Sequence, residues 1–214
     1  NHTATWENHP FTRTVPDYYY RQNADGSYSN ASGCGNETAS ERAMVRKYIV
    51  ESLKYWVKEY HVDGFRFDLM AIHDITTMNE IRKAMDEIDP TIFIYGEGWT
   101  AGDSPLPYEE RAVKQHVSRM PGIAVFSDDI RDGLKGSWAN AKEPAFAAGY
   151  QGYDETIKFS VVAATQHDSI HYGLVKYVNF PYAAEPSQVI NYVSCHDDLC
   201  LVDKINYSSP YGAT

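Results

Sequence analysis

Apolar and aromatic residues recur along this chain with two different periods. In the segment 38–60, seven of them recur every three or four positions, which predicts an amphipathic helix. The seven residues are Val45, Tyr48, Ile49, Leu53, Trp56, Val57 and Tyr60. Thr38 and Glu41, three positions apart, form a capping box that predicts the start of this helix. The same spacing predicts a second helix from about Thr77, with Glu80 completing its cap.

Four other runs are rich in β-branched and aromatic residues, and each of them closes in acidic side chains. Runs of this length and composition predict buried strands. They cover residues 62–70, 91–99, 122–129 and 189–198. A weaker helical period predicts a helix within 163–177, and the Asn, Gly and Ser content of 4–37 predicts a long loop.

The alternation of strands and helices predicts an α/β fold with parallel strands covered by helices. Two architectures fit this order, an open doubly wound sheet and a (β/α) barrel. The lack of a Gly-rich phosphate loop disfavours the open sheet. No Pro-rich linker or change of composition divides the sequence, so we expect residues 1–214 to form part of one domain.

Composition and charge narrow the choice of partner. Acidic residues outnumber basic ones by 29 to 19, and the net charge of -10 disfavours nucleic acids and anionic membrane surfaces. The 17 Tyr and 4 Trp suit flat ligands such as sugars or peptides. No apolar run in the sequence reaches the roughly 20 residues of a membrane helix. Three cysteines without a C-x-x-C pair argue against a zinc site or a disulfide scaffold.

Charged residues at the ends of the predicted strands suggest a chemistry. Arg66 and Asp68 are two residues apart, so in a strand they lie on the same side and the guanidinium holds the carboxylate ionised. Glu97, flanked by glycines and with fewer basic neighbours in sequence, is the better proton donor. Asp197 and its neighbour His196 supply groups that bind sugar hydroxyls. One protonated and one ionised carboxyl are the groups that glycoside hydrolysis requires, although acids at strand ends also serve as caps and loop anchors.

Several other polar residues have simpler interpretations. Asp128 and Asp129 contact a substrate or, equally well, form a turn or helix cap. His167 and His171 are four apart and could bind a metal, but a solvated helix face is the better interpretation. Cys195 lies in an apolar run and is expected to be a small core residue.

Four segments, in this order and at this spacing, resemble the conserved regions of the α-amylase family of retaining glycoside hydrolases. They are NHT at 1–3, GFRFDLMAIHD at 64–74, GEGW at 96–99 and NYVSCHDD at 191–198. The sequences GCGNETASER and GFRFDLM are most similar to those of the type I pullulanases, which cut α-1,6 bonds. The resemblance runs from residue 1 to about residue 205.

The resemblance implies roles for seven residues. Asp68 corresponds to the nucleophile, Glu97 to the general acid and then base, and Asp197 to a third carboxylate that binds ring hydroxyls. A separation of about 5 to 5.5 Å between Asp68 and Glu97 is expected of a retaining pair. The implied substrate-binding residues are His2, Arg66, Trp99 and His196.

The resemblance also implies a (β/α)8 TIM barrel of which only part is present, from about the end of strand 3 through strand 7. Ala71 and Ile72 replace the Lys-His pair of many α-1,4-cutting members, and His73 comes one residue late, which favours the debranching branch. The alternatives are an α-1,4-acting neopullulanase or maltogenic amylase, and a catalytically silent glycan-binding fragment. A partial barrel exposes sheet edges, so the segment alone is expected to be impaired in folding or turnover.

The chemistry implied by the resemblance requires no cofactor, while calcium is a possible ligand to which Asn1 could contribute. The expected partner is an α-glucan polysaccharide or oligosaccharide. The remainder of the barrel and carbohydrate-binding modules are further expected partners, and the start at Asn1 suggests a processed product or a piece of a longer protein. We expect a bacterial protein that is secreted, periplasmic or on the cell surface, with a cytoplasmic location as the alternative.

Overall fold

The computed structural model describes residues 2–3 and 9–208 of the protein. The chain divides into two compact units, Asn1–Val125 and Phe126–Thr214. Among the described residues, no helix combines the length and the hydropathy that crossing a bilayer requires. The expectation that residues 1–214 form part of one domain stays a prediction.

The first unit combines helices with parallel strands. Its elements are α1 (Pro10–Thr14), α2 (Ala43–Tyr60), β1 (Gly64–Phe67), α3 (Ile75–Asp86), β2 (Phe93–Gly96) and the start of β3 (Ala124–Ser127). β1 pairs with β2 in parallel along its whole length, from Gly64 opposite Phe93 to Phe67 opposite Gly96. β2 then pairs in parallel with the first two residues of β3. The predicted parallel α/β arrangement is therefore confirmed.

The second unit continues from β3 with shorter elements. They are α4 (Asp128–Lys135), α5 (Asp154–Val161), β4 (Val189–Asn191) and α6 (Leu201–Ser208). Strand order follows sequence order, so β4 comes after β3 and β1 is an edge strand of the described sheet. Some of the connections between these elements contain short 3-10 helices, such as Tyr172–Leu174.

In the first unit, the helices and strands bury residues on one face and leave residues on the other face exposed. Ile94 of β2 is fully buried, and so are Met78, Ile81 and Met85, which share one face of α3. The predicted apolar face of α2 is only partly buried, since Val45 and Val57 are covered and the aromatic residues are not. Tyr48, Trp56 and Tyr60 remain 45–57% exposed.

Both helix starts differ from the sequence prediction. α2 begins at Ala43 without a side-chain cap, because the Glu41 carboxylate instead accepts hydrogen bonds from Arg21. α3 begins at Ile75, where the Asp74 side chain accepts a hydrogen bond from the Thr77 backbone amide. The capping boxes predicted at residues 38 and 77 were therefore wrong.

Two further local predictions were wrong. Residues 163–177, all of which the structure describes, form no α-helix, and the helix lies just upstream as α5. Ala163 and Ala164 have φ angles of 55° and 53°, in the left-handed region where an α-helix cannot continue. Within the segment predicted as a long loop, Pro10–Thr14 form the short helix α1, with proline in its first turn.

Candidate active site

Three charged side chains meet at the carboxyl ends of β1 and β2. One guanidinium nitrogen of Arg66 donates to Asp68 Oδ1 at 2.6 Å, and the other terminal nitrogen donates to Glu97 Oε1 at 2.8 Å. Arg66 and Asp68 are therefore on the same side of the chain, as predicted. A single cation thus joins carboxylates that are 29 residues apart in the sequence and belong to neighbouring strands.

The second oxygen of Glu97 is bound by the backbone. Leu69 N donates to Glu97 Oε2 at 2.7 Å. Leu69 has φ 43° and ψ 52°, a left-handed conformation that begins the buried 3-10 turn Met70–Ile72 directly after Asp68. The turn that follows β1 therefore presents a backbone amide to the carboxylate that follows β2.

Glycines on both sides of Glu97 permit this close approach. A Cβ atom at Gly96 would lie 2.6 Å from the carbonyl oxygen of Phe67, and one at Gly98 would lie 2.6 Å from the amide nitrogen of Lys114. The backbone of Glu97 is also bound to β1, because its amide donates a hydrogen bond to the carbonyl oxygen of Phe67 at 3.0 Å. The sequence GEG is thus fixed by the approach of neighbouring backbones as well as by chemistry.

The two carboxylates differ in burial rather than in their access to a cation. The Asp68 side chain is 52% exposed, whereas that of Glu97 is 9% exposed, and both contact Arg66. Glu97 has fewer basic neighbours in sequence than Asp68, but in the structure both carboxylates contact the same guanidinium. A buried carboxyl beside an exposed one is still the asymmetry that separates a proton donor from a nucleophile.

A cavity of about 390 Å³ opens beside this cluster. Its lining includes His2, Arg66 and Asp68, so three residues predicted for the site border the same space. Aromatic rings form another part of its wall, where Phe11 and Tyr19 stack with centroids 4.3 Å apart. Aromatic rings and the Asp68 carboxylate thus border the same cavity.

Of Trp99 and His73, the second lines this cavity and the first does not. Trp99 is partly buried on the segment after β2 and is not among the residues that line the cavity. His73, which the sequence singled out only as a misplaced histidine, is buried and lines the cavity. Burial, with a contribution from the positive charge of Arg21, lowers the pKa of His73 to about 3, so its imidazole is neutral.

In the second unit, His196 and Asp197 lie side by side after β4. His196 Nε2 is 3.3 Å from Asp197 Oδ2, and both side chains are more than half exposed. Cys195 is also exposed and its thiol donates to the Asp197 carbonyl, so the expected core position for this residue was wrong. All three cysteines lie in the described part of the chain and are free.

The described residues bring together one group of possible metal ligands, which differs from those that the sequence suggested. The ligand atoms of Cys195, His196 and Asp197 lie within 4.8 Å of one another on the exposed surface. His167 and His171 do not share a helix face, so both interpretations that placed them on a helix were wrong. Asn1, the suggested calcium ligand, lies outside the described residues.

Asp128 and Asp129 lie in the first turn of α4, whose N-cap is Ser127, so neither of them is the helix cap that the sequence analysis gave as an alternative. Asp129 is buried and its Oδ2 accepts a hydrogen bond from the hydroxyl of Tyr182 at 2.9 Å. Burial, together with this negative neighbour, raises the pKa of Tyr182 far above its ordinary value. Asp129 is therefore part of the internal packing of the second unit.

Several known pullulanases are similar to this chain in sequence. No family model matches it. A pullulanase of Bacillus subtilis is 39% identical over 210 residues, which are 98% of this chain and 28% of that protein. A chloroplastic pullulanase of Arabidopsis thaliana is 30% identical over 92% of this chain and 25% of its own length.

Solved structures lead to the same group of proteins. A Paenibacillus barengoltzii pullulanase, crystallised with maltohexaose and α-cyclodextrin, superimposes with a TM-score of 0.89 at 45% identity, over 100% of this chain and 32% of that one. The type I pullulanase of Bacillus subtilis, crystallised with maltose, gives a TM-score of 0.90 at 38% identity, over 100% of this chain and 28% of that one.

The chain thus spans about 30% of the length of these relatives. The predicted fold class, part of a (β/α)8 barrel, is confirmed, since the strands are parallel and the superimposed pullulanases have such barrels. The resemblance seen in the motifs is confirmed as well: over nearly all of its length this chain is similar to part of the type I pullulanases of the α-amylase family.

Proposed function

We propose that this chain supplies the central part of the catalytic barrel of a retaining glycoside hydrolase that cleaves α-1,6-glucosidic branch linkages. The observation that carries the proposal is the pair of carboxylates, Asp68 and Glu97, held by the guanidinium of Arg66 beside an aromatic cavity. Two carboxyls that share one guanidinium fit the short separation of a retaining pair, about 5 to 5.5 Å. The similarity to pullulanases supports the choice of substrate.

Asp68 is the proposed nucleophile. Its side chain is half exposed and borders the cavity, so an anomeric carbon can reach it, and the Arg66 guanidinium 2.6 Å away holds the carboxylate in position. Attack forms the C–O bond of a covalent glycosyl-enzyme as the bond to the leaving oxygen breaks. Water then releases the sugar in a second step.

Glu97 is the proposed general acid and then base. In the described state both of its oxygens accept hydrogen bonds, one from Arg66 and one from the Leu69 amide. A carboxyl that carries a proton to the leaving oxygen needs one oxygen available for it, so Glu97 has to release one of these two donors first. Entry of the substrate into the cleft is the step at which we place this release.

The remaining site residues bind the sugar in this proposal. Asp197 and His196 hydrogen-bond ring hydroxyls, and their exposure of more than half leaves them accessible to a ligand. His2 contacts the sugar from the cavity wall beside Asp68. Trp99, partly exposed after β2, lines the path of the leaving group. Since the carboxyls supply both proton transfer and nucleophile, the reaction requires no cofactor, and calcium stays a prediction.

The proposed partner is an α-glucan, in line with the maltooligosaccharides and cyclodextrin in the crystals of the similar pullulanases. Carbohydrate-binding modules and a bacterial location outside the cytoplasm stay predictions. An α-1,4-acting enzyme of the same chemistry is the alternative, and a silent glycan-binding fragment is the other, since β1 is an edge strand of the described sheet.

Digestion of pullulan tests these functions against one another. The full protein chain that carries this sequence is incubated with pullulan, and the smallest product is identified by chromatography. Maltotriose is expected, because cleavage at the α-1,6 bonds releases it. Panose or isopanose would mean that α-1,4 bonds are cut and would overturn the debranching assignment. Binding of pullulan without any product would leave only the silent glycan-binding alternative.

A further inference from the structure

A buried ion pair lies in the segment between α1 and α2. Arg21 is 4% exposed and Glu37 is fully buried, and the guanidinium of Arg21 donates to Glu37 Oε1 at 2.5 Å. A second nitrogen of Arg21 donates to Glu41 at 2.7 Å. Removing two charges from water costs free energy, so a buried ion pair of this kind requires further hydrogen bonds to its remaining polar atoms.

One set of these hydrogen bonds reaches the segment after β1. The same nitrogen of Arg21 that contacts Glu41 also donates to the carbonyl oxygen of Ile72 at 3.2 Å. Ile72 is the last residue of the buried 3-10 turn that begins directly after Asp68 and Leu69. Arg21 thus fixes the end of the turn that follows the proposed nucleophile and Leu69.

A second set reaches the segment after β2. The Ser104 hydroxyl donates to Glu37 Oε1 at 2.5 Å and accepts from Arg21 at 3.1 Å. Glu37 Oε2 accepts from the amide of Ala31 at 2.7 Å. The carbonyl of Ala31 in turn accepts from the backbone amides of residues 101 and 102, at 2.9 and 3.1 Å. These hydrogen bonds therefore hold the far end of the segment that begins with Glu97.

We propose that Arg21, Glu37 and Ser104 form a buried clip that positions the loops after β1 and β2 relative to each other. The clip touches neither carboxylate, so its members are positioning residues and act through Asp68 and Glu97. Its catalytic consequence rests on the proposed function, whereas its effect on the two loops does not. A displacement of about 1 Å in such a pair lowers the rate substantially, which gives the clip a measurable effect.

Ser104→Ala is the sharpest test, because it removes the hydroxyl that joins Ser104 to the pair and to the Leu106 amide, and leaves Arg21 and Glu37 paired with each other. Ser29→Ala is the matched control: Ser29 is 1% exposed, and its hydroxyl has no hydrogen-bond partner among the described residues. In the full chain, Ser104→Ala is expected to lower kcat on pullulan about tenfold with little change in KM. Ser29→Ala is expected to leave both unchanged, and Ser104→Thr, which keeps the hydroxyl, to restore kcat.

Hydrogen exchange tests the clip without relying on hydrolysis. Ser104→Ala is expected to speed exchange at the amides of Ala101 and Gly102, which donate to Ala31, while Ser29→Ala is not. Unchanged exchange in Ser104→Ala would overturn the clip whatever the activity. Faster exchange with kcat per folded molecule unaltered would overturn its role in positioning. Failure of the wild-type chain to cleave pullulan, with faster exchange in the variant, would remove the proposed function and leave the clip.

Discussion

Glu97 of the first unit and Asp197 of the second unit differ in burial and in hydrogen bonding. In the first, Glu97 is nearly buried and accepts hydrogen bonds from a guanidinium and a backbone amide. In the second, Asp197 is 57% exposed, with the His196 imidazole 3.3 Å away. The first unit therefore fixes Glu97 by its own packing, whereas the second presents side chains whose geometry a bound ligand can still alter.

This difference follows from how each site is anchored. The Asp68–Arg66–Glu97 cluster joins two paired strands, and its position is set by strand register, by close glycine contacts and by the Leu69 turn. His196 and Asp197 lie outside the three-residue strand β4, in a stretch without helix or strand. Preorganised charge and adaptable binding groups are both useful to an enzyme that must stabilise a short-lived state and release its products.

The largest expected effect is on chemistry. Glu97→Gln keeps the shape of the side chain and its contact with Leu69 N but cannot transfer a proton, so hydrolysis of pullulan is expected to fall by about 10² to 10⁴. Binding of maltotriose, measured by calorimetry, is expected to change little. Glu59→Gln, on the exposed surface of α2, is the control and should keep wild-type activity. A Glu97→Gln enzyme with the wild-type rate would remove Glu97 from its proposed role.

The next effect is on stability. Arg66→Met removes the cation from the nearly buried carboxylate of Glu97, which is expected to lower the free energy of unfolding by about 3 kcal/mol, the low end for breaking a buried pair. Adding Glu97→Gln to Arg66→Met should recover part of this loss, because no buried charge is then left unpaired. Urea titration measures both. Equal stability of Arg66→Met and wild type would show that the cluster is held by packing alone.

A pH-dependent effect also belongs to the first unit. The pKa of His73 is lowered to about 3, chiefly by burial, whereas an unfolded histidine titrates near 6.5. Between these values the unfolded chain binds a proton that the folded chain does not, so stability falls as the pH drops. From pH 7 to pH 5 this loss is on the order of 2 kcal/mol.

His73→Asn removes the titrating group, so the variant should lose less stability than wild type over the same pH range. His167→Asn, at an exposed position, is the control and should follow the wild type. Urea titrations at pH 7 and pH 5 give the four differences needed. Parallel losses in His73→Asn and wild type would contradict the buried, neutral imidazole.

The sequence predicted the parts of the site that depend on local pattern. Apolar runs that close in acids placed Asp68 and Glu97 at the ends of neighbouring parallel strands. It could not predict that Arg66 also reaches Glu97, because that contact follows from strand register across 31 residues. A count of charged neighbours along the chain therefore could not include this contact of Glu97.

The buried clip was missed for a related reason. Arg21 and Glu37 lie in a stretch whose Asn, Gly and Ser content is typical of exposed turns, and no local pattern marks a charge there as buried. The same contacts explain the error at the start of α2. The Glu41 carboxylate that would complete a capping box is bound to Arg21, so tertiary contacts override the local signal.

The smallest expected effect concerns the second unit. His196→Ala removes an exposed imidazole, so the free energy of unfolding should change by less than about 0.5 kcal/mol. Maltotriose is expected to raise the melting temperature of wild type more than that of His196→Ala, because at a given concentration a ligand that binds more tightly stabilises the folded chain more. His167→Ala, also exposed, should respond to maltotriose like the wild type. A loss of more than about 1 kcal/mol in His196→Ala without ligand would mean that this loop, like the first cluster, is fixed by the packing of the chain itself.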